Sequence, residues 1–456
     1  MLFLTGTDEH GMKIATSAAA AGKEPLELCT EYSRGFEALN QRLGISNDIY
    51  IRTTDDYHEK TAQALWAKCS ADIYLSEYEG YYLVREERYV TEREAKEWGY
   101  KDPASGAELQ KSKEESFFFK QSKYQDELIA HLKANPQFIV PEQYRTEILS
   151  RLESDPLEDL CVSRTSFTWG VPVPNSSNHV MYVWFDALTN YISGLRLLGD
   201  NPNSSFWPAK AHVIGKDIVW FHAVIWPCML MSAGLPLPER IAVHGFIIDA
   251  DGKKMSKSLG NVVDPHDLLD KYPADTIRWY LCSGIYGADF KFSQDQLEDY
   301  HRADLSNNLG NLVSRAVALA AGVVPPLHPE VSVPFDLEVT MTQLDAMFTS
   351  QQIGEAAQLI RQRTSDTNKW LADAAPWTIK DDPERKAGFI RIALEAVYVL
   401  AHFWAPFIPT AAAVVFKKIN AGPRHFANLT NFDNLIQGDS VLTEKSILFD
   451  PLRKMA

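Results

Sequence analysis

Hydrophobic and polar positions follow a strand–helix alternation in the first part of the chain. Over residues 1–75, short runs at Leu2–Leu4 and Ile49–Arg52 predict strands, and longer segments of helical period at Pro25–Leu43 and Tyr57–Lys68 predict helices. Strands that alternate with helices are typical of a parallel sheet covered by helices. The pattern therefore predicts an α/β domain at this end of the chain.

The alternation is interrupted by residues 76–141, which are rich in Glu, Lys, Tyr and Phe and predict a small inserted domain. It then resumes, with a helix over 142–153, strands at Asp159–Ser163, Val180–Trp184, Ala211–Ile214 and Arg240–Ile248, and a buried helix at Ile218–Ser232. From Gln294 to the end the pattern is helical, with breaks at Pro325-Pro326, Pro376 and Pro406. These patterns predict five regions, namely 1–75, 76–141, 142–250, 251–293 and 294–456.

Composition narrows the class of protein. The 456 residues include 45 Lys and Arg against 60 Asp and Glu, and the net charge of −15 argues against a protein that coats nucleic acid non-specifically. This net charge does not exclude a protein that binds a structured RNA through a few local patches. No apolar run approaches the ~18 uncharged residues that span a bilayer. The five cysteines form no CxxC pair, so neither a disulfide framework nor a zinc site is predicted, which favours a soluble protein of a reducing compartment.

The strongest concentration of candidate catalytic side chains lies in the segment Lys253–Ser258, which contains three lysines and two serines. Displacement at phosphorus needs such cations and hydroxyl donors, because negative charge develops on the departing pyrophosphate. A Lys-Ser loop is more often an ordinary solvated turn. The sequence contains none of the common GxxxxGK[ST], GxGxxG, HExxH or GxSxG patterns.

The letters of this loop, Lys254-Met255-Ser256-Lys257-Ser258, match the KMSKS signature of class I aminoacyl-tRNA synthetases. Further motifs follow the family order: GTDEHG at Gly6–Gly11, YVWFDA at Tyr182–Ala187, GKDI at Gly215–Ile218, FHAVIWP at Phe221–Pro227, and His244-Gly245. Together they resemble the methionyl-tRNA synthetases of bacterial and organellar type. The resemblance implies a Rossmann-like catalytic domain (1–75 and 142–250), a connective-peptide domain (76–141), a KMSKS and stem-contact region (251–293) and an α-helical anticodon-binding domain (294–456).

The resemblance also implies the reaction, in which L-methionine is activated by ATP to methionyl-adenylate and transferred to the 3′ end of tRNA(Met). The matching methionine-binding positions are Asp8, Trp184, Tyr191, Phe221, His222 and Trp226. Asp8 would receive the α-amino group, the rings would hold the polarizable thioether, and His222 would offer it a hydrogen bond. On the residues alone, aromatics at helical spacing are more often core, and Thr7 or Asp8 equally suits a helix cap.

For ATP, the resemblance implies Lys254 and Lys257 as the catalytic cations. The matching ATP-binding positions are Arg164, Gly215, Asp217, His244, Met255, Ser256, Lys257 and Ser258. Mg²⁺ would travel with ATP, because the sequence predicts no dedicated metal cage. The inserted domain resembles the version of the family without zinc ligands.

In the helical region, Asn307, Asn311 and Arg315 are spaced to form one polar stripe, because they drift by only ~80° around a helix. The apolar positions Leu305, Leu309, Leu312, Ala316 and Leu319 fall on the opposite side. A solvated polar face is the plain interpretation of this stripe. These positions also resemble the family's readers of the CAU anticodon, together with Trp377, whose indole suits a stacked base.

One family motif, the HIGH tetrapeptide, does not occur in the sequence. The family carries it upstream of the segment that matches Gly6–Gly11, so the resemblance implies a chain shortened at its N terminus. Two alternatives stay open on this ground: a tRNA-binding chain with impaired catalysis, or another class I synthetase. The expected partners are tRNA(Met), L-methionine and ATP, with no DNA and no membrane. We expect a monomer in the cytoplasm, or in a mitochondrion or plastid if a transit peptide precedes this sequence.

Overall fold

The computed structural model describes residues 1–83, 88–90, 92–103, 106–199, 204–255, 260–284, 287–429, 431–442 and 447–452. Contacts within the chain divide it into two compact units. The first unit contains residues 1–41 and 45–244, and the second contains residues 42–44 and 245–456. The five predicted regions cut the chain more finely than this division and stay predictions.

The first unit is a mixture of strands and helices in the alternating order that the sequence predicts. Its strands are β1 Leu4–Thr7, β2 Ile49–Arg52, β3 Ile73–Leu83, β4 Arg88–Val90, β5 Gln110–Phe119, β6 Ile139–Val140, β7 Leu160–Cys161, β8 Ser163–Arg164, β9 Val180–Met181, β10 His212–Gly215 and β11 Ile241–His244. Its helices are α1 Met12–Ala21, α2 Pro25–Arg42, α3 Asp56–Lys68, α4 Glu92–Glu97, α5 Gln125–Ala134, α6 Glu142–Ser154, α7 Val183–Leu188, α8 Asn190–Ser193 and α9 Trp226–Ala233. A π-type turn at Phe221–Ile225 leads directly into α9.

Two parallel strand groups position the candidate site. β10, β11 and β6 pair in that order, and β1 pairs with β2 from Leu4 opposite Ile49 to Thr7 opposite Arg52. The region predicted as an insertion contains a long antiparallel pair, β3 with β5, in the four-strand order β4-β3-β5-β7. Because parallel strands share one direction, their carboxyl ends meet at one edge of the sheet, where such folds bind ligands.

The core of the first unit is built from the apolar faces of these elements. The π-type turn and α9 carry apolar residues on nearly every side, and a helix of that composition is stable only when it is surrounded by protein. Cys228, Met229 and Leu230 on α9 are completely buried. They pack with Leu65 of α3 and with Ile241 of β11, so this helix holds the sheet and the covering helices together.

The second unit is mainly helical. Its strands are β12 Ile247–Ile248 and β13 Phe290–Lys291, and its helices are α10 Pro265–Lys271, α11 Ala274–Cys282, α12 Gln294–Tyr300, α13 Asn311–Ala320, α14 Leu337–Thr349, α15 Ile353–Ala374, α16 Pro383–Trp404 and α17 Pro409–Ile419. A second π-type turn, His301–Gly310, joins α12 to α13. The predicted helical character of this part of the chain is confirmed.

Helix α16 is the centre of the second unit. Every residue from Gly388 to Trp404 is buried, including Arg391 and Glu395, whose side chains pair at 3.0 Å. Glu395 also accepts hydrogen bonds from the backbone N–H groups of Asn434 and Leu435, so the buried charges are compensated. This helix has the length and hydropathy of a membrane span, but 89% of that stretch is buried inside the structure, as in the core helix of a globular domain.

Several predicted strands differ from the structure, among them Asp159–Ser163, which divides into β7 and β8 of different sheets. The segment Val180–Trp184 is a strand only as far as Met181, and α7 begins at Val183, because a short apolar run does not distinguish a strand from a buried helix. The segment Arg240–Ile248 divides at Gly245 into β11 and β12, which belong to different sheets. A Cβ atom at Gly245 would lie 2.1 Å from the carbonyl oxygen of Ala288, so the chain requires glycine where it changes direction.

Candidate functional site

A cluster of aromatic rings lies where α7, α8 and the π-type turn meet. The rings of Trp184 and Phe221 stack with centroids 3.8 Å apart and an angle of 10° between their planes, and His222 meets Trp184 edge-on at 6.2 Å. Tyr191 lies 5.6 Å from His222 and 6.1 Å from Trp226. The structure therefore brings together all five side chains that the sequence proposes for the methionine side chain.

A hydrogen-bonded chain fixes the imidazoles of this cluster. His222 Nδ1 lies 2.9 Å from the carbonyl oxygen of Ile218, which can only accept, so Nδ1 carries the proton. In the neutral ring, Nε2 then accepts from the Tyr191 hydroxyl at 2.6 Å. The single N–H of His222 is donated to Ile218 in this arrangement, and the hydrogen bond from His222 to a thioether stays a prediction.

Burial keeps both histidines of the cluster neutral. Desolvation lowers the pKa of His222 to about 4, and it lowers the pKa of His212 to about 3 with a smaller contribution from His222. The Trp226 indole N–H donates to His212 Nε2 at 3.2 Å, and the His212 ring stacks on Tyr191 with centroids 3.9 Å apart. The cluster is therefore an uncharged, polarizable environment, which suits a thioether better than it suits an ion.

The loop after β1 carries Asp8, which is exposed, and Glu9, which is buried. Glu9 forms two hydrogen bonds with the Arg52 guanidinium, at 2.8 and 2.9 Å, and these anchor the loop to the end of β2. Thr7 donates to the Glu9 carboxylate, and the N-cap of α1 is Gly11, without a side-chain cap. The alternative in which Thr7 or Asp8 caps the following helix is therefore wrong.

A buried carboxylate links this loop to the aromatic cluster. Asp186 on α7 lies 2.6 Å from His10 Nδ1 and 2.6 Å from His58 Nε2, and all three side chains are buried. His10 also meets the ring of Trp169 edge-on at 5.3 Å, and the Trp169 indole donates to the backbone of Glu9. The loop that carries Asp8 is thus held from the β2 side by Arg52 and from the α7 side by Asp186.

The carboxyl ends of β10 and β11 form a second candidate subsite. Gly215 pairs with His244 in the register of these strands, and a Cβ at Gly215 would lie 2.9 Å from the Asp217 carboxylate and 3.7 Å from His244. Three of the four ATP-binding positions proposed in the first unit are therefore neighbours. Arg164, proposed near the phosphates, is buried; it donates to the Ser163 carbonyl oxygen and lies 4.5 Å above the ring of Tyr182.

In the second unit, the base of the signature loop is closed by hydrogen bonds. Asp249 accepts from the backbone N–H of Lys253 at 2.7 Å and from the Asn261 side chain at 2.7 Å, and these bonds lower the pKa of Asp249. The Lys254 ammonium lies 4.0 Å above the ring of Phe246, and Met255 follows it. The other three residues proposed here, namely Ser256, Lys257 and Ser258, lie outside the described part of the chain.

The polar stripe of the helical region is presented to solvent. Asn307 and Asn311 are exposed, Arg315 is half-buried, and the apolar positions on the other side pack into the core. The Arg315 guanidinium lies 5.3 Å above the ring of Trp377, which is 48% exposed. Asn368 on α15 accepts from the Asn311 side chain at 3.3 Å. Of the four proposed anticodon residues, the structure therefore places Arg315 against Trp377 and leaves Asn307 and Asn311 exposed.

Within the described ranges, no group of three or more His, Cys, Asp or Glu side chains is arranged to hold a metal ion. Burial raises the pKa of Cys29 to about 11 and the pKa values of Cys69 and Cys228 to about 12. Such thiols are poor metal ligands in this state, because the thiolate is the ligand. The predicted lack of a zinc requirement stays a prediction.

Comparison with known families places these motifs in one group. A family model described as "tRNA synthetases class I (M)" matches residues 1–99 and 99–317, and a model of the "Anticodon binding domain of methionyl tRNA ligase" matches residues 327–451. The chain belongs to the methionyl-tRNA synthetase family. The family and the α/β fold with a helical second part, expected from the resemblance, are confirmed.

Individual synthetases of this family are similar over nearly the whole chain. The methionine–tRNA ligase of Rhizobium meliloti (strain 1021) is 38% identical over 98% of this chain and 90% of its own length. That of Mesorhizobium japonicum is 41% identical over 91% of this chain and 82% of its own length. A crystal structure of the Mycobacterium tuberculosis methionyl-tRNA synthetase bound by methionyl-adenylate superimposes with a TM-score of 0.90, at 36% identity over 98% of this chain and 92% of that one.

Several residues that shape the synthetase site were not predicted from the sequence. His212 and Trp207 complete the aromatic cluster, His58 completes the pair of imidazoles on Asp186, and Asp249 closes the signature loop. Asp186, which was also not predicted, could have been found from the sequence, because it lies inside the YVWFDA motif. The other residues reach the site through contacts between distant segments, which no local pattern in one sequence reveals.

Proposed function

We propose that the chain acts as a methionine–tRNA ligase that uses the aromatic cluster as its methionine side-chain subsite. The observation that carries the assignment is this neutral cluster of stacked rings around His222, in a chain of the methionyl-tRNA synthetase family. A thioether gains from contact with ring edges and needs no ionic partner. The alternative of another class I synthetase is not favoured, because both family models are specific to the methionyl enzyme.

In the first step, a carboxylate oxygen of methionine attacks the α-phosphorus of ATP, and the bond to pyrophosphate breaks. Asp8 would hold the α-ammonium group, since its carboxylate is exposed on an anchored loop. Lys254 and Lys257 would offset the charge that develops on pyrophosphate, as cations do in phosphoryl-type transfer. Mg²⁺ bound to ATP would add charge compensation at the same oxygens.

Gly215, Asp217 and His244 would receive the nucleoside part of ATP at the ends of β10 and β11. This placement is supported by the general position of ligands at the carboxyl ends of parallel strands. The close approach at Gly215, where even a methyl group meets Asp217, suits a nucleotide that lies against the backbone. Met255, Ser256 and Ser258 would add contacts from the signature loop, and Arg164 would act on the phosphates.

In the second step, a hydroxyl of the 3′-terminal adenosine attacks the carbonyl carbon of the adenylate, and AMP leaves. Asn307, Asn311 and Arg315 would read base edges of the CAU anticodon, and Trp377 would stack on a splayed base. The exposure of Asn307, Asn311 and Trp377, and the contact between Arg315 and Trp377, support this role.

The chain would work as a cytoplasmic monomer without zinc, DNA or a membrane as partner. The net charge of −15 supports the exclusion of DNA, because non-specific DNA binding requires a basic surface. Five cysteines without a disulfide support a reducing compartment.

Amino-acid-dependent exchange of pyrophosphate into ATP tests the proposal. Exchange should require L-methionine and should not occur with leucine, isoleucine or valine, and the chain should methionylate a tRNA with a CAU anticodon. Exchange that depends on another amino acid would replace the methionine assignment. Binding of tRNA(Met) without methionine binding or exchange would favour the alternative of a catalytically impaired tRNA-binding chain.

A further inference from the structure

Asp186 is a buried carboxylate inside a family motif, and the proposed function gives it no role. Its side chain is completely buried, and it accepts from two imidazoles, His10 and His58, at 2.6 Å each. Burying a charge is costly even when it is paired, and apolar replacements of buried ion clusters are often neutral or stabilising. The arrangement is therefore poorly explained by stability and points to a task that needs fixed geometry.

The connections of Asp186 run to both halves of the methionine site. On α7, it lies two residues after Trp184, whose ring forms part of the aromatic cluster. His10 lies two residues after Asp8, on the loop that would hold the α-ammonium group. The second nitrogen of His58 lies 2.8 Å from the Ser193 hydroxyl, two residues after Tyr191, so the network reaches α8 as well.

The charges around the network reinforce this link. Burial opposes a charge on His10, but the hydrogen bond and attraction of Asp186 outweigh it and raise the pKa of His10. Asp8 on the same loop and Glu59 on α3 attract the same imidazole. Burial alone would raise the pKa of Asp186, but the hydrogen bonds from His10 and His58 outweigh burial, so the pKa of Asp186 is lowered. Both shifts favour the charged forms of His10 and Asp186, and His10 lies on the loop that presents Asp8.

We propose that Asp186 is a positioning residue that, through His10 and His58, fixes the carboxylate of Asp8 at a set distance from the aromatic cluster. This inference rests on the proposed function, since it assigns the amine subsite to Asp8. Its consequence is that the network sets the spacing between the ammonium and the thioether of the bound amino acid. Loss of the charge at Asp186 should therefore weaken recognition of the amine and leave the ring contacts in place.

The test is Asp186→Asn, measured by equilibrium titration of the intrinsic tryptophan fluorescence with L-methionine and with its desamino analogue, 4-(methylthio)butanoic acid. The variant should bind L-methionine about tenfold or more weakly. The affinity for the desamino analogue should hardly change, so the preference for methionine over this analogue should shrink. A merely structural role would weaken both ligands alike.

The matched control is Asp72→Asn. Asp72 is another buried carboxylate of the first unit, held by Lys123, Tyr124 and Ser232 at 2.5–2.8 Å, and it has no contact with the aromatic cluster in the described interactions. This variant should lose thermal stability while its preference for methionine over the analogue stays at the parental value.

His58→Gln provides a second variant with the same expected direction if Asp186→Asn does not fold. The proposal is overturned if a folded variant keeps the parental preference, if both ligands weaken in parallel, or if neither variant folds, since the network is then structural. A parent chain that binds no methionine would instead overturn the proposed function. If the parent chain binds methionine and Asp186→Asn keeps the parental preference for methionine over the analogue, only this inference is overturned.

Discussion

Trp377 offers the clearest separation between tRNA recognition and adenylate formation. It lies on the short helical turn Pro376–Thr378 with 48% of its surface exposed, so replacing it with alanine removes little core packing. The described contact that is lost is with the Arg315 guanidinium, 5.3 Å from the ring, and such a cation–π pair is worth about 0.5–1 kcal/mol at an exposed site. The free energy of unfolding should therefore fall by no more than about this amount.

The effect on tRNA should be larger. A base stacked on an aromatic side chain contributes about 1–3 kcal/mol, and each 1.4 kcal/mol is a factor of ten. Trp377→Ala should therefore lower kcat/KM for methionylation of a CAU-anticodon tRNA by a factor of roughly 5 to 150. Methionine-dependent pyrophosphate exchange, which needs no tRNA, should stay at the parental rate, and thermal unfolding should report the small loss of stability.

The matched control is Trp370→Ala in the same helical unit. Trp370 is half-buried, donates to the Ser332 hydroxyl at 3.3 Å and lies 5.8 Å from the ring of Phe389, so its removal should cost more stability than removal of Trp377. Equal losses in exchange and methionylation by Trp377→Ala would refute the reasoning. So would unaltered methionylation, because an exposed indole that binds a base cannot be lost without effect.

Four further outcomes follow from the site. His222→Ala should raise the KM for methionine and leave the KM for ATP nearly unchanged; equal changes in both constants would contradict the pocket assignment. Lys257→Ala should slow adenylate formation by roughly 10²-fold or more, a loss of ~3 kcal/mol, while methionine binding without ATP stays constant; activation at the parental rate would exclude a catalytic role for the loop. Gly215→Ala should raise the KM for ATP, because the new methyl group would lie 2.9 Å from the Asp217 carboxylate, and methionine affinity measured alone is its control. Burial lowers the pKa of His222 to about 4 from 6.5, so between these pH values the unfolded chain binds a proton that the folded chain does not. The free energy of unfolding should therefore fall as pH decreases from about 6.5 towards 4, by up to about 1.4 kcal/mol per pH unit. In urea unfolding, His222→Gln should show a shallower decrease with pH, and a slope identical to that of the parent would contradict the lowered pKa.

The elements that could be predicted are those with a long or well-bounded pattern. The helix predicted at Pro25–Leu43 is observed at Pro25–Arg42, because its amphipathic period is long and proline is favourable in the first turn of a helix. The strand predicted at Ile49–Arg52 has the observed bounds. The strand predicted at Leu2–Leu4 is observed at Leu4–Thr7, because pairing with β2 extends through Gly6 and Thr7, whose polar character suggested a turn.

The candidate site was predictable as a set of residue types but not as a set of interactions. The motifs identified Trp184, Phe221 and His222, and the structure brings these rings together. The hydrogen atom of His222 could not be placed from the sequence, because its position depends on the Ile218 carbonyl and the Tyr191 hydroxyl. The same limit applies to Asp186, whose imidazole partners lie 176 and 128 residues away along the chain.

The two π-type turns affect how the chain tolerates a change in length. A π-type turn accommodates one residue more than an α-helical turn, so each acts as a single-residue insertion in a continuous helix. Deleting one residue from Phe221–Ile225 or from His301–Gly310 would remove the extra residue and let the turn become α-helical, so Trp226 and Arg315 would keep their phase relative to the residues before the turn. A one-residue deletion in an ordinary α-helical stretch such as Ile353–Ala374 would instead rotate every later residue of the helix by about 100°. The two π-type turns are therefore the places where these helices should tolerate the loss of one residue.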